Sequence, residues 1–146
     1  MPFDSRTESC LATLLPAAQK QARKFMAVCR DKGIPLKIVC GTRSYAEQDS
    51  LYARGRTVPG PIVTSERGGY SWHNFGIAWD IGVFDEAGRY LSESPLYAVA
   101  GEIGKSLGLE WGGDWPATGQ EGHFQIKIGL QMAQCRELIA VGLPVC

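Results

Sequence analysis

The sequence has little of several things, and each shortage excludes a class of function. It contains only two histidines, His73 and His123, so no histidine-rich metal tract exists. Its five cysteines, Cys10, Cys29, Cys40, Cys135 and Cys146, form no CxxC pair and stand at no ligand spacing from a histidine, which argues against a thiolate zinc site. They read as free, partly buried thiols, with a Cys135–Cys146 bridge left open and the odd count leaving one thiol unpaired. There is no net charge, because 15 basic residues balance 15 acidic ones, so nothing global draws the chain to nucleic acid or an anionic membrane. No apolar run approaches the roughly 18 residues of a membrane-spanning helix, so no membrane insertion is expected. The opening MPFDSRTESCLATLLPAAQ lacks a basic segment followed by a clean apolar one, so it does not read as a signal peptide. Repeats, low-complexity tracts and linkers are also missing.

What is present suits one globular domain. The chain has 146 residues, 45% apolar and 21% charged, enough for a single core. The pattern predicts N-terminal helices over about 5–32, with Pro16 opening the second and Ala22, Phe25, Met26 and Cys29 on its core-facing stripe. Gly33 is the expected C-terminal cap. PLKIVCG alternates like a half-buried strand, and SYAEQDSLYARG reads as a helix with Ser44 as N-cap and Glu47 completing a capping box. Residues 57–70 are rich in Pro and Gly and read as a long loop. IAWDIGVF is a strand, DEAG a turn, SPLYAVAGEIGKSLGL a helix capped by Ser94, GHFQIKI a strand, and 129–141 a final helix. The turn at DEAG favours antiparallel pairing. The expected fold is α+β: a small antiparallel sheet with helices on one side, its functional core over about 35–127.

The chemistry concentrates in SWHNFGIAWD and TGQEGHFQ. His73 precedes Asp80 by seven residues, and His123 follows 43 residues later. Two imidazoles and a carboxylate, with water as a fourth partner, are a common catalytic zinc set. A turn at Gly76 would bring His73 and Asp80 to one point. Taken singly, the histidines read as ordinary core or surface residues and Asp80 as a turn cap, and spacing alone leaves the two readings level.

The run GTRSYAEQDSLYARGRTVPGPIVTSERGGYSWHNFGIAWDIGVFD, continued by LGLEWGGDW and GHFQ, resembles the M15 family of zinc peptidases. The resemblance is greatest to its L-alanyl-D-glutamate endopeptidase branch of phage endolysins and bacterial cell-wall hydrolases, and it covers about 14–125. It implies the small α+β fold shared by D-Ala-D-Ala peptidases and the hedgehog signalling domain. It also implies one Zn2+ per chain held by His73, Asp80 and His123, with peptidoglycan stem peptide as substrate. Arg43 matches the family arginine that faces the site, and Gln48 and Ser71 match supporting positions. Tyr52 and Trp111 read as core or cleft-wall aromatics, and Asp114 as a residue supporting the site or a turn.

The resemblance also exposes a departure. In the family, a carboxylate three residues before the last histidine takes the proton of the attacking water, and here that position is Gln120. An amide cannot accept a proton at neutral pH. Three readings follow. Glu121 serves as base, its side chain on the same face as His123 if 121–123 is extended. Alternatively Gln120 is a silencing substitution, or the chain is a noncatalytic zinc-bearing module that binds cell wall. A D-Ala-D-Ala carboxypeptidase or dipeptidase is the other enzyme reading. Synthesis in the cytoplasm implies delivery to the cell wall or periplasm through holin lesions or a secretion system. A bacteriolytic endolysin or an injected toxin with a delivery or immunity partner protein would both fit.

Overall fold

A computed structural model of the chain describes residues 2–116 and 119–146. Two helices lead, α1 (Ser5–Ala12) and α2 (Pro16–Asp31). Asp4 caps α1 by accepting from the Thr7 N–H, and Pro16 stands in the first turn of α2, where its missing N–H costs nothing. The apolar stripe on α2 is as expected from its spacing: Ala18, Ala22, Phe25, Met26 and Cys29 are all buried. The chain then turns at Gly33 and forms β1 (Leu36–Cys40), α3 (Tyr45–Ala53) and a 3-10 turn at Trp72–Phe75. The Ser44/Glu47 capping box of α3 is formed in both directions. The remaining elements are β2 (Ala78–Phe84), β3 (Tyr90–Leu91), α4 (Leu96–Ser106), β4 (Glu110–Trp111), a 3-10 turn at Gly112–Asp114, β5 (His123–Gln125) and α5 (Met132–Ala140).

The strands form one sheet in the order β1-β2-β5-β4, with β3 pairing the far end of β2, and each of these strand pairings is antiparallel. Two expectations need correction. The strand expected from GHFQIKI is only three residues long: one more register bond follows, from the Ile126 N–H to the Ile77 carbonyl, before the chain runs on to α5. Helix α4 starts two residues after Ser94, with Pro95 as its boundary residue, although the Ser94 hydroxyl still accepts from the Leu96 N–H.

The pleat of β2 and β5 sorts the two sides of the sheet. Trp79 pairs with Phe124, and both meet Phe25 of α2, with ring centroids 6.4 and 4.6 Å away. These three rings are fully buried and form the centre of the core beneath the helices. The next pair along, Asp80 and His123, therefore points to the opposite face. Strand β1 continues this row through a bulge at Val39, where Ile38 pairs with Ile81 but Cys40 pairs with Asp80. The extra residue turns Cys40 toward the Asp80 face and re-aims the chain toward Arg43. No helix among the described residues is long and apolar enough to cross a membrane.

Candidate metal centre

His73 is carried by the 3-10 turn and Asp80 by the middle of β2. Gly76 joins them in a left-handed conformation (φ 78°), and its carbonyl accepts from the Leu15 N–H. Side chains rarely adopt that φ, so glycine is what permits the reversal that the sequence placed here. Ser71 caps the turn, its hydroxyl accepting from the His73 N–H. Asn74 does more than its neighbours suggested: its Oδ1 accepts from the Gly69 and Ser71 N–H groups, and its amide donates to the Arg43 carbonyl. The turn is thereby fixed to the segment after β1, and the Arg43 N–H closes the link by donating to the His73 carbonyl.

The three expected ligands converge. His73 Nε2 lies 3.1 Å and His123 Nδ1 lies 3.4 Å from the same oxygen, Asp80 Oδ1. Ligand atoms about 2.0–2.1 Å from a tetrahedral zinc lie roughly 3.3 Å apart, so this spacing suits such an ion. The remaining ring nitrogens are engaged as a metal site requires. His73 Nδ1 is 2.9 Å from the Gly41 carbonyl, which can only accept, so that nitrogen carries the proton and Nε2 is left for a metal. His123 uses the opposite pair, with Nε2 2.8 Å from Gln125 Oε1 and Nδ1 facing Asp80. The two rings meet edge to face at 4.9 Å, and Trp115 packs against the His123 ring at 4.8 Å.

The electrostatics bind the cluster together. Burial opposes charge on His73, yet the adjacent Asp80 carboxylate outweighs it and raises the imidazole pKa. Burial likewise pushes the Asp80 carboxyl up, and the two imidazoles reverse this and hold it well below the usual carboxylate range. A proton and a metal ion thus compete for the same pocket.

Arg43 completes the site. One end of its guanidinium donates to Gln48 Oε1 at 3.2 Å, and the other lies 3.7 Å from Asp80 Oδ2. Gln48 is fully buried and fixed by its own donation to the Glu66 carbonyl, so the acceptor it offers Arg43 is held in place. Arg43, His73, Asp80, Gln120, Glu121 and His123 all line one cleft of about 750 Å³.

Gln120 and Glu121 sit in a tight turn, because the His123 N–H donates to the Gln120 carbonyl. The extended geometry expected for 121–123 is therefore corrected: β5 begins only at His123, and strand alternation does not place Glu121. Both side chains reach the cleft by way of the turn, Gln120 half-buried and Glu121 exposed. Two features hold this turn in place. The Trp111 indole donates to the Glu121 carbonyl at 2.7 Å. Gly112 packs so closely that a Cβ there would lie 2.4 Å from the Gln120 carbonyl oxygen and 2.9 Å from His123 Cβ.

Other expectations resolve differently. Asp114 is an exposed turn residue paired with Lys105 at 3.1 Å, which fits the turn reading, and it is not among the residues lining the cleft. Tyr52 is stacked under Arg56. No spacing singles out Cys40, yet its Sγ lies 3.8 Å from His73 Nδ1 and it clusters with His73 and Asp80. The separation of 33 residues hides what the β1–β2 pairing joins. All five cysteines are free thiols.

Comparison with known proteins places this arrangement. Over 123 residues the chain is 38% identical to the peptidoglycan L-alanyl-D-glutamate endopeptidase CwlK of Bacillus subtilis (strain 168), covering 77% of this chain and 73% of that protein. The chain belongs to the M15 peptidase family. A family model described as D-alanyl-D-alanine carboxypeptidase matches residues 64–126, the stretch that carries His73, Asp80 and His123. Among solved structures, the L-Ala D-Glu endopeptidase ChiX of Serratia marcescens is 26% identical with a TM-score of 0.61, covering 88% of this chain and 91% of that one. A vancomycin-resistance D,D-pentapeptidase, VanY, solved in complex with Zn(II), shares the fold at 15% identity and a TM-score of 0.57, covering 90% of this chain and 81% of that one. This M15 peptidase is thus a hydrolase of peptide bonds, and its helix-backed antiparallel sheet is that of its relatives.

Proposed function

We propose that this M15 peptidase is a zinc-dependent peptidoglycan endopeptidase that cuts the stem peptide between L-alanine and D-glutamate. The observation that carries the reading is the convergence of His73, Asp80 and His123 on one point of an open cleft, in a chain 38% identical to an enzyme named for that bond. His73 Nε2, Asp80 Oδ1 and His123 Nδ1 would hold one zinc ion per chain, and the Zn(II) complex of the VanY fold relative supports that choice of metal. When bound, zinc polarises a carbonyl and acidifies water toward neutrality.

The chain's own residues supply the rest. Arg43, held between Gln48 and Asp80, presents a permanently charged planar fork to a substrate carboxylate or to charge developing on the scissile oxygen. The proton of the attacking water needs a base within reach. Gln120 cannot take it, whereas Glu121 is the acid of the same turn and lines the same cleft. Glu121 takes that proton and returns it to the leaving amine. Such an enzyme works on the wall side of the membrane, reached through phage lysis holes or a secretion machine.

One observation favours a second reading. By the resemblance to the family, Gln120 would stand where the catalytic carboxylate is expected, three residues before His123, as in a silenced variant or in a noncatalytic module that binds zinc and muropeptide. Digestion of purified sacculi by the unaltered chain, Gln120→Glu and Glu121→Gln, with products weighed and zinc assayed, separates these. A new D-Glu N-terminus, abolished in Glu121→Gln at one zinc per chain, supports the proposal. Free D-Ala identifies a carboxypeptidase. Activity gained only in Gln120→Glu identifies silencing. Tight muropeptide binding without turnover in all three identifies the module.

A further inference from the structure

Behind His123, away from the cleft centre, a chain of side chains runs along the site face of the sheet. Gln125 lies two residues beyond His123 and so projects from the same face, and Glu110 pairs with it across β4 and β5. The contacts are short: His123 Nε2 to Gln125 Oε1 at 2.8 Å, and Gln125 Nε2 to Glu110 Oε2 at 3.0 Å. Gln125 is buried, and Glu110 is half-buried at the sheet edge.

The direction of these bonds is dictated by chemistry. A carboxylate only accepts, so Glu110 draws the NH2 end of the Gln125 amide toward itself. The amide oxygen must then face His123. An oxygen there demands a proton on His123 Nε2, which leaves the lone pair on Nδ1, the nitrogen 3.4 Å from Asp80 Oδ1. With the amide reversed, the NH2 group would face Nε2 and favour the other tautomer, blocking Nδ1 with a proton.

We propose that Glu110 is a positioning residue that, through Gln125, selects the His123 tautomer and so turns the Nδ1 lone pair to the metal. This rests on reading the cluster as a metal centre, and it extends that reading to two residues outside the cleft. Glu110 touches neither metal nor substrate. Its effect is to fix which way a buried amide points.

The test reads the tautomer and the metal separately. The His123 ring nitrogens are observed by 15N NMR in the metal-free protein, and zinc affinity is measured by competition with a chromogenic chelator. Removing an outer partner of a metal-bound imidazole typically costs about 10–100-fold in affinity, so Gln125→Met should lose at least about tenfold. Glu110→Met, neutral and without an acceptor, should lose about threefold or more and populate the Nδ1–H tautomer. Glu110→Gln, equally neutral but able to accept, should stay within about twofold, as should the exchanged pair Glu110→Gln/Gln125→Glu, which reverses the 110–125 bond but keeps an acceptor facing His123 Nε2.

Equal affinities and tautomers in Glu110→Met and Glu110→Gln would overturn the proposal. Should Glu110→Met fail to fold, the exchanged pair decides: a folded double variant that has lost the Nε2–H tautomer overturns it equally. An unaltered chain that binds no zinc sinks the metal-centre reading, while the tautomer comparison still judges the relay.

Discussion

Replacing Gly112 with alanine should damage the site from behind without touching a ligand. The backbone at Gly112 is not in the left-handed region, so alanine meets no conformational penalty there. The cost is steric. The new Cβ would lie 2.4 Å from the Gln120 carbonyl oxygen, and 2.9 Å from both Gln120 Cβ and His123 Cβ, where ordinary contact begins at 3.4 Å. None of these atoms is the end of a flexible side chain, so the turn over 120–123 must move by about 1 Å. Overpacking of this kind costs about 1–3 kcal/mol, a fall in Tm of roughly 3–10 °C for a chain of this size. The displacement falls on Gln120, Glu121 and His123 together, and a 1 Å misplacement of reacting groups costs on the order of 100-fold in rate. Gly33→Ala serves as the matched control. Its φ of 74° makes alanine strained by about 1–2 kcal/mol, while nothing lies within 4 Å of the new Cβ. Thermal melts, zinc titration and muropeptide turnover should show both variants destabilised and only Gly112→Ala impaired in zinc binding and cleavage. Equal zinc affinity and turnover in the two variants would refute the packing argument.

Three other perturbations probe separate links. Phe25→Ala removes the ring that joins Trp79 and Phe124, and should cost about 3–5 kcal/mol in urea denaturation with zinc stoichiometry unchanged in the folded fraction. Arg43→Lys keeps the charge but loses the fork spanning Gln48 and Asp80, so kcat/KM should fall roughly 100-fold or more while Tm changes little. The third concerns pH. Arg23, hydrogen-bonded to Glu8, together with the Phe3 N–H, pulls the Glu8 carboxyl down from 4.5 to about 2. A carboxylate depressed in the folded state contributes stability above its unfolded pKa and loses it as pH falls through the folded one. The Tm gap between the unaltered chain and Glu8→Gln should therefore be full above pH 4.5 and close toward pH 2. A gap that is constant across this window would show that the ion pair is not its source.

Local signals in the sequence were reliable where one element decided the outcome. The capping box at Ser44, the start at Pro16, the stripe on α2 and the reversal at Gly76 depend on neighbouring residues alone, and each formed as expected. His73, Asp80 and His123 were singled out together through family resemblance, and the structure brings their side chains to one point. What stayed hidden depends on pairing between distant strands. Cys40 reaches His73 only through the β1 bulge, Glu110 reaches Gln125 only across β4 and β5, and Trp111 meets Glu121 only after the sheet has closed. Gln125 was missed as well, although a local signal existed: a polar residue two places after His123 in a strand shares its face. The extended geometry expected for 121–123 failed for a simpler reason. Strand alternation was extended by two residues into what the His123 N–H makes a turn.

The account stands or falls on His73, Asp80 and His123 forming one metal centre that peptide cleavage requires. Zinc counted per chain by elemental analysis, beside a muropeptide digest, for the unaltered chain and for His123→Ala, tests this directly. One zinc and stem-peptide cleavage are expected in the former, and neither in a folded His123→Ala. A His123→Ala chain that keeps its zinc and still cuts would contradict it.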